Sequence, residues 1–311
     1  MTKNEAGSLK NAGKDKTLLV ILGPTASGKT ALAVQLAKAL EAEVISADSR
    51  QVFKEMKIGT ARPEPEELQG VPHHLLAFLS IQDDYDAGTF RHDALRILDE
   101  IFSRKQYAIL CGGSGLYINA LLDGFDDLPP VPAALRESIQ ENYKMHGLSW
   151  LQQELSRLDP DYYAEVDQQN PQRLMRALEV CMASGKPFSG FRKGTKSNLN
   201  CRIIKIGIEM DRKVLNTRID ARMDEMIANG LFEEAKSLYP FKSKNALQTV
   251  GYKEIFDFMD GKHDKAEAVR LLKRNSRRYA KRQLTWFKRD EEIRWFKPEE
   301  FEEIYKVVVD S

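Results

Sequence analysis

The chain has 311 residues, 42% of them hydrophobic and 30% charged, with a formal net charge of +1 at pH 7. That length and apolar content suit one large domain or two smaller ones, and the even charge balance excludes a protein that binds polyanions over its whole surface. Three cysteines, Cys111, Cys181 and Cys201, lie far apart and outside any CxxC pair, which points to reduced thiols in a cytoplasmic protein and away from a disulfide framework or a zinc site.

Residues 1–16 are polar, without the apolar stretch of a signal peptide, and are expected to form a disordered tail. No apolar run approaches the roughly 18 residues of a membrane span, so no membrane association is expected. The first apolar run, Leu18–Leu22, reads as a strand. It leads into Gly23-Pro24-Thr25-Ala26-Ser27-Gly28-Lys29-Thr30, a full match to the P-loop pattern of nucleotide-binding proteins. A helix-like stretch, Lys29–Leu40, completes the strand–loop–helix context. Gly23 and Gly28 permit the tight turn that aims backbone N–H groups at phosphate oxygens, and the helix adds its positive end. Lys29 supplies a point charge and Thr30 a hydroxyl for Mg²⁺. A diphosphate or triphosphate is therefore expected here, with Mg²⁺ as the cofactor.

A second strand-like run, Glu43–Ala47, ends in Asp48-Ser49-Arg50-Gln51. Asp48 has three readings at this point: a Mg²⁺ ligand as in NTPases, a general base, or a cap on the next turn. Arg50 and Gln51 carry planar hydrogen-bonding groups that suit a nucleic acid. Further strand-like runs are Tyr107–Cys111, followed by Gly112-Gly113-Ser114-Gly115, then Ile203–Ile208 and Ile293–Phe296. Strands alternating with helices predict a parallel sheet, whose ligands sit at the carboxyl ends of the strands. The middle differs. A Pro-rich Phe125–Pro132 and a polar Ser184–Asn200 bracket Ala133–Met182, which has helical periodicity and no strand pattern. The predicted fold is α/β: a P-loop parallel-sheet core, residues 17–124 and 200–311, with an inserted all-helical subdomain, residues 125–199.

Asp211–Leu238 reads as one helix, with Leu215, Ile219, Met223, Met226 and Ile227 on its apolar face and Arg218 and Arg222 one turn apart beside it. Arg270–Arg289 holds nine Lys or Arg and no acid. Leu272, Tyr279 and Trp286 recur every seven residues and are expected to pack on the core. The lack of acids favours an anionic partner.

Several strings together resemble the tRNA dimethylallyltransferase family, the bacterial tRNA isopentenyltransferases. They are Glu43–Phe53, Met56–Ala61, Gly70-Val71-Pro72-His73-His74-Leu75, Gly112–Tyr117, Asn170–Glu179, Val250-Gly251-Tyr252-Lys253-Glu254 and Tyr279–Phe287. They run in the family's order from Gly23 to Lys288. One departure is Ser114, where the family has Thr; the hydroxyl survives. The resemblance implies transfer of a dimethylallyl group from its diphosphate to the exocyclic amine of the tRNA adenosine just 3′ of the anticodon. The P-loop, Gly23, Pro24, Thr25, Ala26, Ser27, Gly28, Lys29 and Thr30, would hold the donor's diphosphate with Mg²⁺ on Thr30. It implies Asp48 as general base, Thr25 between diphosphate and reacting centre, and Arg218, with Arg222 second, on the leaving group. It implies tRNA contacts at Asp48, Ser49, Arg50, Gln51, Ser114, Arg136, Gln172, Arg173, Leu174, Met175, Arg176, Lys281, Arg282, Gln283, Trp286 and Lys288, the insertion among them. The expected partners are dimethylallyl diphosphate and the tRNA anticodon stem-loop, for a monomer in the cytoplasm. For His73 and His74 packing or ordinary hydrogen bonding is expected. Three rival readings share parts of the pattern: a P-loop kinase, a prenyltransferase of free adenine nucleotides, and a non-catalytic RNA-binding protein.

Overall fold

An apolar run without polar alternation has to be covered on both faces, which is the place of a central strand in a parallel sheet. Thr17–Leu22 is such a run, and all six of its residues are buried. The computed structural model describes residues 16–310, so all of the predicted N-terminal tail but Lys16 lies outside it. Among the described residues, the strands β1 (Thr17–Leu22), β2 (Glu43–Ala47), β3 (His73–His74), β4 (Tyr107–Gly112), β5 (Arg202–Ile208) and β6 (Arg294–Phe296) form one sheet. Their order is β3-β2-β4-β1-β5-β6, and every pairing is parallel. The fold is thus α/β, as the alternation of elements predicts. The two-residue strand β3 is not among the predicted elements, because two residues leave no periodicity to read.

The register sets up the site. Gly112 of β4 pairs with Leu22 of β1 on one side and with Ala47 of β2 on the other. The segments that follow, 23–30, 48–51 and 113–115, therefore leave the sheet side by side. A Cβ on Gly112 would run into the Ala47 carbonyl, so only glycine lets these strand ends close up. One face of the sheet packs Leu19, Ile21, Ile109 and Ile206 against Leu32 and Leu36 of the helix Lys29–Ala39 and against Ile304 and Val308. A second core gathers Val52, Met56, Leu247, Tyr252 and Leu272.

Two helix expectations are corrected. Asp211–Leu238 is two helices, Arg212–Ala228 and Leu231–Leu238. The break falls at Gly230, whose φ of 98° is a left-handed conformation that glycine adopts without strain. Asp211 caps the first of them, accepting from Lys213 N at 2.7 Å and Val214 N at 3.2 Å. In the basic helix, Lys265–Phe287, the buried residues are Ala268, Leu272, Ser276, Ala280, Gln283 and Phe287. That spacing follows the 3.6-residue turn rather than a seven-residue stripe, so Trp286 stands outside, 38% exposed.

The chain divides into two compact units. One contains the sheet; the other is Asp123–Ser197. The second unit has the helices Ala133–Leu158, Pro160–Glu165 and Pro171–Ser184 and its own core of Ile139, Leu151, Leu155, Leu174 and Leu178. The first of these helices is interrupted at Gly147, where φ is 73°. The last starts with Asn170, whose side chain accepts from Arg173 N at 3.3 Å, and Pro171 at the first position.

Candidate active site

The turn after β1 has the shape an anion cradle requires. The helix Lys29–Ala39 begins without a side-chain cap, behind Gly28 at φ 88°, and leaves its first N–H groups free for a ligand. Lys29 folds across the loop, its Nζ donating to Pro24 O at 3.0 Å. Burial lowers its pKa, with Cys111 and Asp48 acting in the opposite direction. Ser27 is fully buried, and its hydroxyl has no hydrogen-bond partner among the described residues.

Asp48 follows directly from β2. Its Oδ1 accepts from Arg50 N at 2.9 Å and from Gln51 N at 3.2 Å, which caps the turn and fixes the carboxylate plane. Its Oδ2 has no hydrogen bond among the described residues and is left for a ligand. The cap therefore uses one oxygen of Asp48 and leaves the other open to either the base reading or the Mg²⁺ reading. Ser114 secures this turn from the side: its Oγ accepts from Ser49 N at 2.9 Å and lies 3.2 Å from Ser49 Oγ.

Gln283 joins the parts. Its Oε1 accepts from Thr25 N at 2.9 Å, and its Nε2 donates to Gly113 O at 2.9 Å. The residue is 7% exposed, so its amide is spent inside the chain, and one amide of the cradle is already taken. Of the two arginines one turn apart, Arg222 faces the cavity, with Nη2 donating to Ala61 O at 3.0 Å and Nη1 3.5 Å from Thr25 Oγ1. Arg218 is exposed, its Nη1 4.0 Å from the point where a Cβ on Gly28 would sit. It belongs to the rim of the cradle, and Arg222 to its wall. The phase of the helix against the cavity decides this, and periodicity alone does not reveal it.

The cavity holds Lys29, Arg50 and Arg222 against the one carboxylate of Asp48, and an apolar wall of Ile219, Met223, Met226 and Val250. Three cations around a cradle suit a multiply charged anion; the wall suits an apolar group attached to it. Burial lowers the pKa of both arginines and pushes that of Tyr279 up to about 12, which keeps the phenol neutral. No side-chain group able to hold a metal by three or more His, Cys, Asp or Glu exists among the described residues. Thr30 does line the cavity, and its hydroxyl is the donor the P-loop pattern offers a metal. That donor set fits a hard cation that takes most of its ligands from phosphate oxygens and water.

His74 Nε2 lies 2.7 Å from the buried Glu43, which hydrogen bonding to Arg104 holds at a pKa of about 2. His73 Nδ1 lies 2.9 Å from Val71 O. Tyr117 is core, stacked on Phe90 at 4.6 Å between ring centroids.

The basic helix is less bare than its sequence suggests. Acids from other elements pair with Lys273 (Asp224, 2.6 Å), Arg277 (Asp220) and Lys288 (Glu209, 3.3 Å). Arg278, Lys281, Arg282 and Arg289 are exposed and have no acidic partner among the described residues. Trp286 lies over Gly115 and reaches Asn119 Oδ1 at 3.3 Å. In the second unit, Gln172 and Arg173 are exposed and Arg176 pairs with Glu179 at 3.2 Å. Arg136 is partly buried. Leu174 and Met175, grouped with the tRNA contacts by resemblance, instead have their side chains in that unit's core.

Comparisons with known proteins agree on one family. The IPP transferase family matches residues 51–290. The tRNA dimethylallyltransferases of Cytophaga hutchinsonii and Christiangramia forsetii are each 50% identical, over 93% and 94% of this chain and 95% and 96% of their own. The crystal structure of the tRNA isopentenylpyrophosphate transferase of Bacillus halodurans is similar with a TM-score of 0.69 and 38% identity, covering 96% of both chains. A eukaryotic dimethylallyltransferase acting on tRNA gives a TM-score of 0.76 at 25% identity, over 95% of this chain and 77% of that one.

Proposed function

Because the chain belongs to the IPP transferase family, we propose that it moves a dimethylallyl group from dimethylallyl diphosphate to tRNA. The acceptor is the exocyclic amine of the adenosine 3′-adjacent to the anticodon. The observation that carries this reading is Asp48, whose one oxygen is anchored and whose other is free, beside a phosphate cradle and an apolar wall. The amine's lone pair forms the new bond to the allylic carbon, the carbon–oxygen bond to diphosphate breaks, and Asp48 Oδ2 takes the amine proton. The leaving diphosphate gains charge as that bond breaks. Lys29, the cradle amides and Arg222, with Arg218 at the rim, stabilise it. Thr30 would hold Mg²⁺, which adds positive charge at the same oxygens when bound.

An adenine within a stacked anticodon loop does not reach such a cavity, so the base has to be turned out of the stack. Asp48, Ser49, Arg50, Gln51, Ser114 and Trp286 border its route; Lys281 and Arg282, and on the insertion Arg136, Gln172 and Arg173, take the RNA backbone, while Lys288 and Arg176 reach phosphate by giving up their pairs with Glu209 and Glu179. The tRNA substrate of this reading puts its site of action in the cytoplasm. Among the described residues no helix is long and apolar enough to cross a membrane. The test is transfer of label from radiolabelled dimethylallyl diphosphate to unmodified tRNA with Mg²⁺, with ATP hydrolysis followed in the same buffer. Labelled tRNA with silent ATP is the expected result. ATP turnover without labelled tRNA would return the cradle to the kinases.

Replacing Arg278, Lys281 and Arg282 together by Ala should weaken tRNA binding. It should also flatten the dependence of log affinity on log salt by roughly 0.7–0.9 for each phosphate that is no longer neutralised. Lys273 and Arg277, already neutralised by Asp224 and Asp220, should leave that slope nearly unchanged when replaced. A slope indifferent to the triple substitution would remove the basic helix from the RNA interface.

A further inference from the structure

Two of the strings that carry the family resemblance, Met56–Ala61 and Val250–Glu254, line the cavity in part but supply no reacting group to the chemistry above. The fold brings them together around one carboxylate. Glu234, in the first turn of the helix Leu231–Leu238, accepts from Lys57 N at 3.0 Å and Ile58 N at 2.7 Å through Oε2. Its Oε1 accepts from Gly59 N at 2.8 Å and from the Tyr252 hydroxyl at 2.7 Å. Three consecutive amides turned onto one anion make a nest of the kind that binds phosphate, filled here by the chain's own side chain. The packing is equally specific. A Cβ on Gly59 would run into the Tyr252 ring, and that tyrosine is fully buried.

What the loop does lies at its other end. Thr60 O and Ala61 O accept from Gln51 Nε2 at 3.1 and 3.3 Å. Ala61 O also accepts from Arg222 Nη2 at 3.0 Å, the arginine whose Nη1 lies 3.5 Å from Thr25 Oγ1. Gly59, Thr60 and Ala61 line the cavity, and Glu234 does not. Its carboxylate holds the loop whose Ala61 carbonyl accepts from Arg222.

We propose that Glu234 is a positioning residue for the transfer reaction, acting through the 57–61 loop on Arg222. This rests on the functional reading above. Glu234→Gln keeps the side chain's shape but turns an N–H₂ group toward donors that need an acceptor, so at least one bond to the loop is broken. The experiment is a double-mutant cycle in the full chain: Glu234→Gln, Arg222→Ala and both together. Each is measured for kcat, donor KM, tRNA KM and melting temperature. Glu234→Gln should lower kcat over donor KM by about tenfold, with tRNA KM unchanged within about twofold. In the Arg222→Ala background the same change should cost less than about twofold, because the coupled partner is already gone. A merely structural carboxylate would lower the melting temperature and give additive losses, and additivity would overturn the proposal. Should Glu234→Gln fail to fold, Tyr252→Phe removes one of the four bonds. Its smaller loss must likewise vanish in the Arg222→Ala background, and a loss that persists there would overturn the proposal. Absence of label transfer by the unaltered chain would overturn the functional reading and this proposal with it; transfer with additive losses would overturn this one alone.

Discussion

Asp48→Asn should lower turnover by about 10²–10⁴-fold, the range general-base assistance usually supplies, with tRNA affinity close to that of the unaltered protein. The separation follows from how the two carboxylate oxygens are used. An asparagine carbonyl can still accept from the amides of Arg50 and Gln51, as Oδ1 does at 2.9 and 3.2 Å. The turn that presents Ser49, Arg50 and Gln51 is then kept. What disappears is the basic oxygen in the Oδ2 position. Single-turnover label transfer and tRNA filter binding on the same preparation check this. Equal losses in both would make Asp48 a structural or RNA-binding residue and leave the proton without a destination.

Lys29→Ala should weaken donor binding, read as the dissociation constant of dimethylallyl diphosphate. A hydrogen bond to a charged group is worth about 1.5–3 kcal/mol, so the loss should be roughly 10- to 150-fold. The fold should tolerate the change. Burial disfavours the ammonium, with Asp48 attracting and Arg222 repelling it, and its direct hydrogen-bond partner is a single backbone carbonyl, Pro24 O at 3.0 Å. Lys29→Met, which keeps most of the apolar stem, separates charge from packing: both variants should lose affinity alike. Unchanged donor affinity in both would place the diphosphate elsewhere.

The sheet and the cradle are legible because their signals are local. An unbroken apolar run, the P-loop string and an Asp at a strand end carry their meaning within a few residues, and the parallel register then sets them side by side. What the sequence does not reveal depends on distant segments. The acids that neutralise Lys273, Arg277 and Lys288 sit on other elements, so the run from 270 to 289 reads as more basic than its surface is. Gln283 reads as an RNA contact, yet its amide is held between Thr25 and Gly113. Glu234 gives no sign of its part, since an acid in a helix's first turn is ordinary dipole complement. The Arg218–Arg222 choice turns on helix phase, and β3 is too short to register.

The outer strands of the sheet have a consequence of their own. Inner strands such as β1 are buried throughout and would, if left unpaired, be templates for aggregation. The sheet ends in β3 on one side and β6 on the other, only two and three residues long. Such stubs offer a neighbouring chain too few free backbone groups for a stable edge-to-edge ladder. A chain whose interior is rich in sticky strands thus presents blunt ends to other copies of itself.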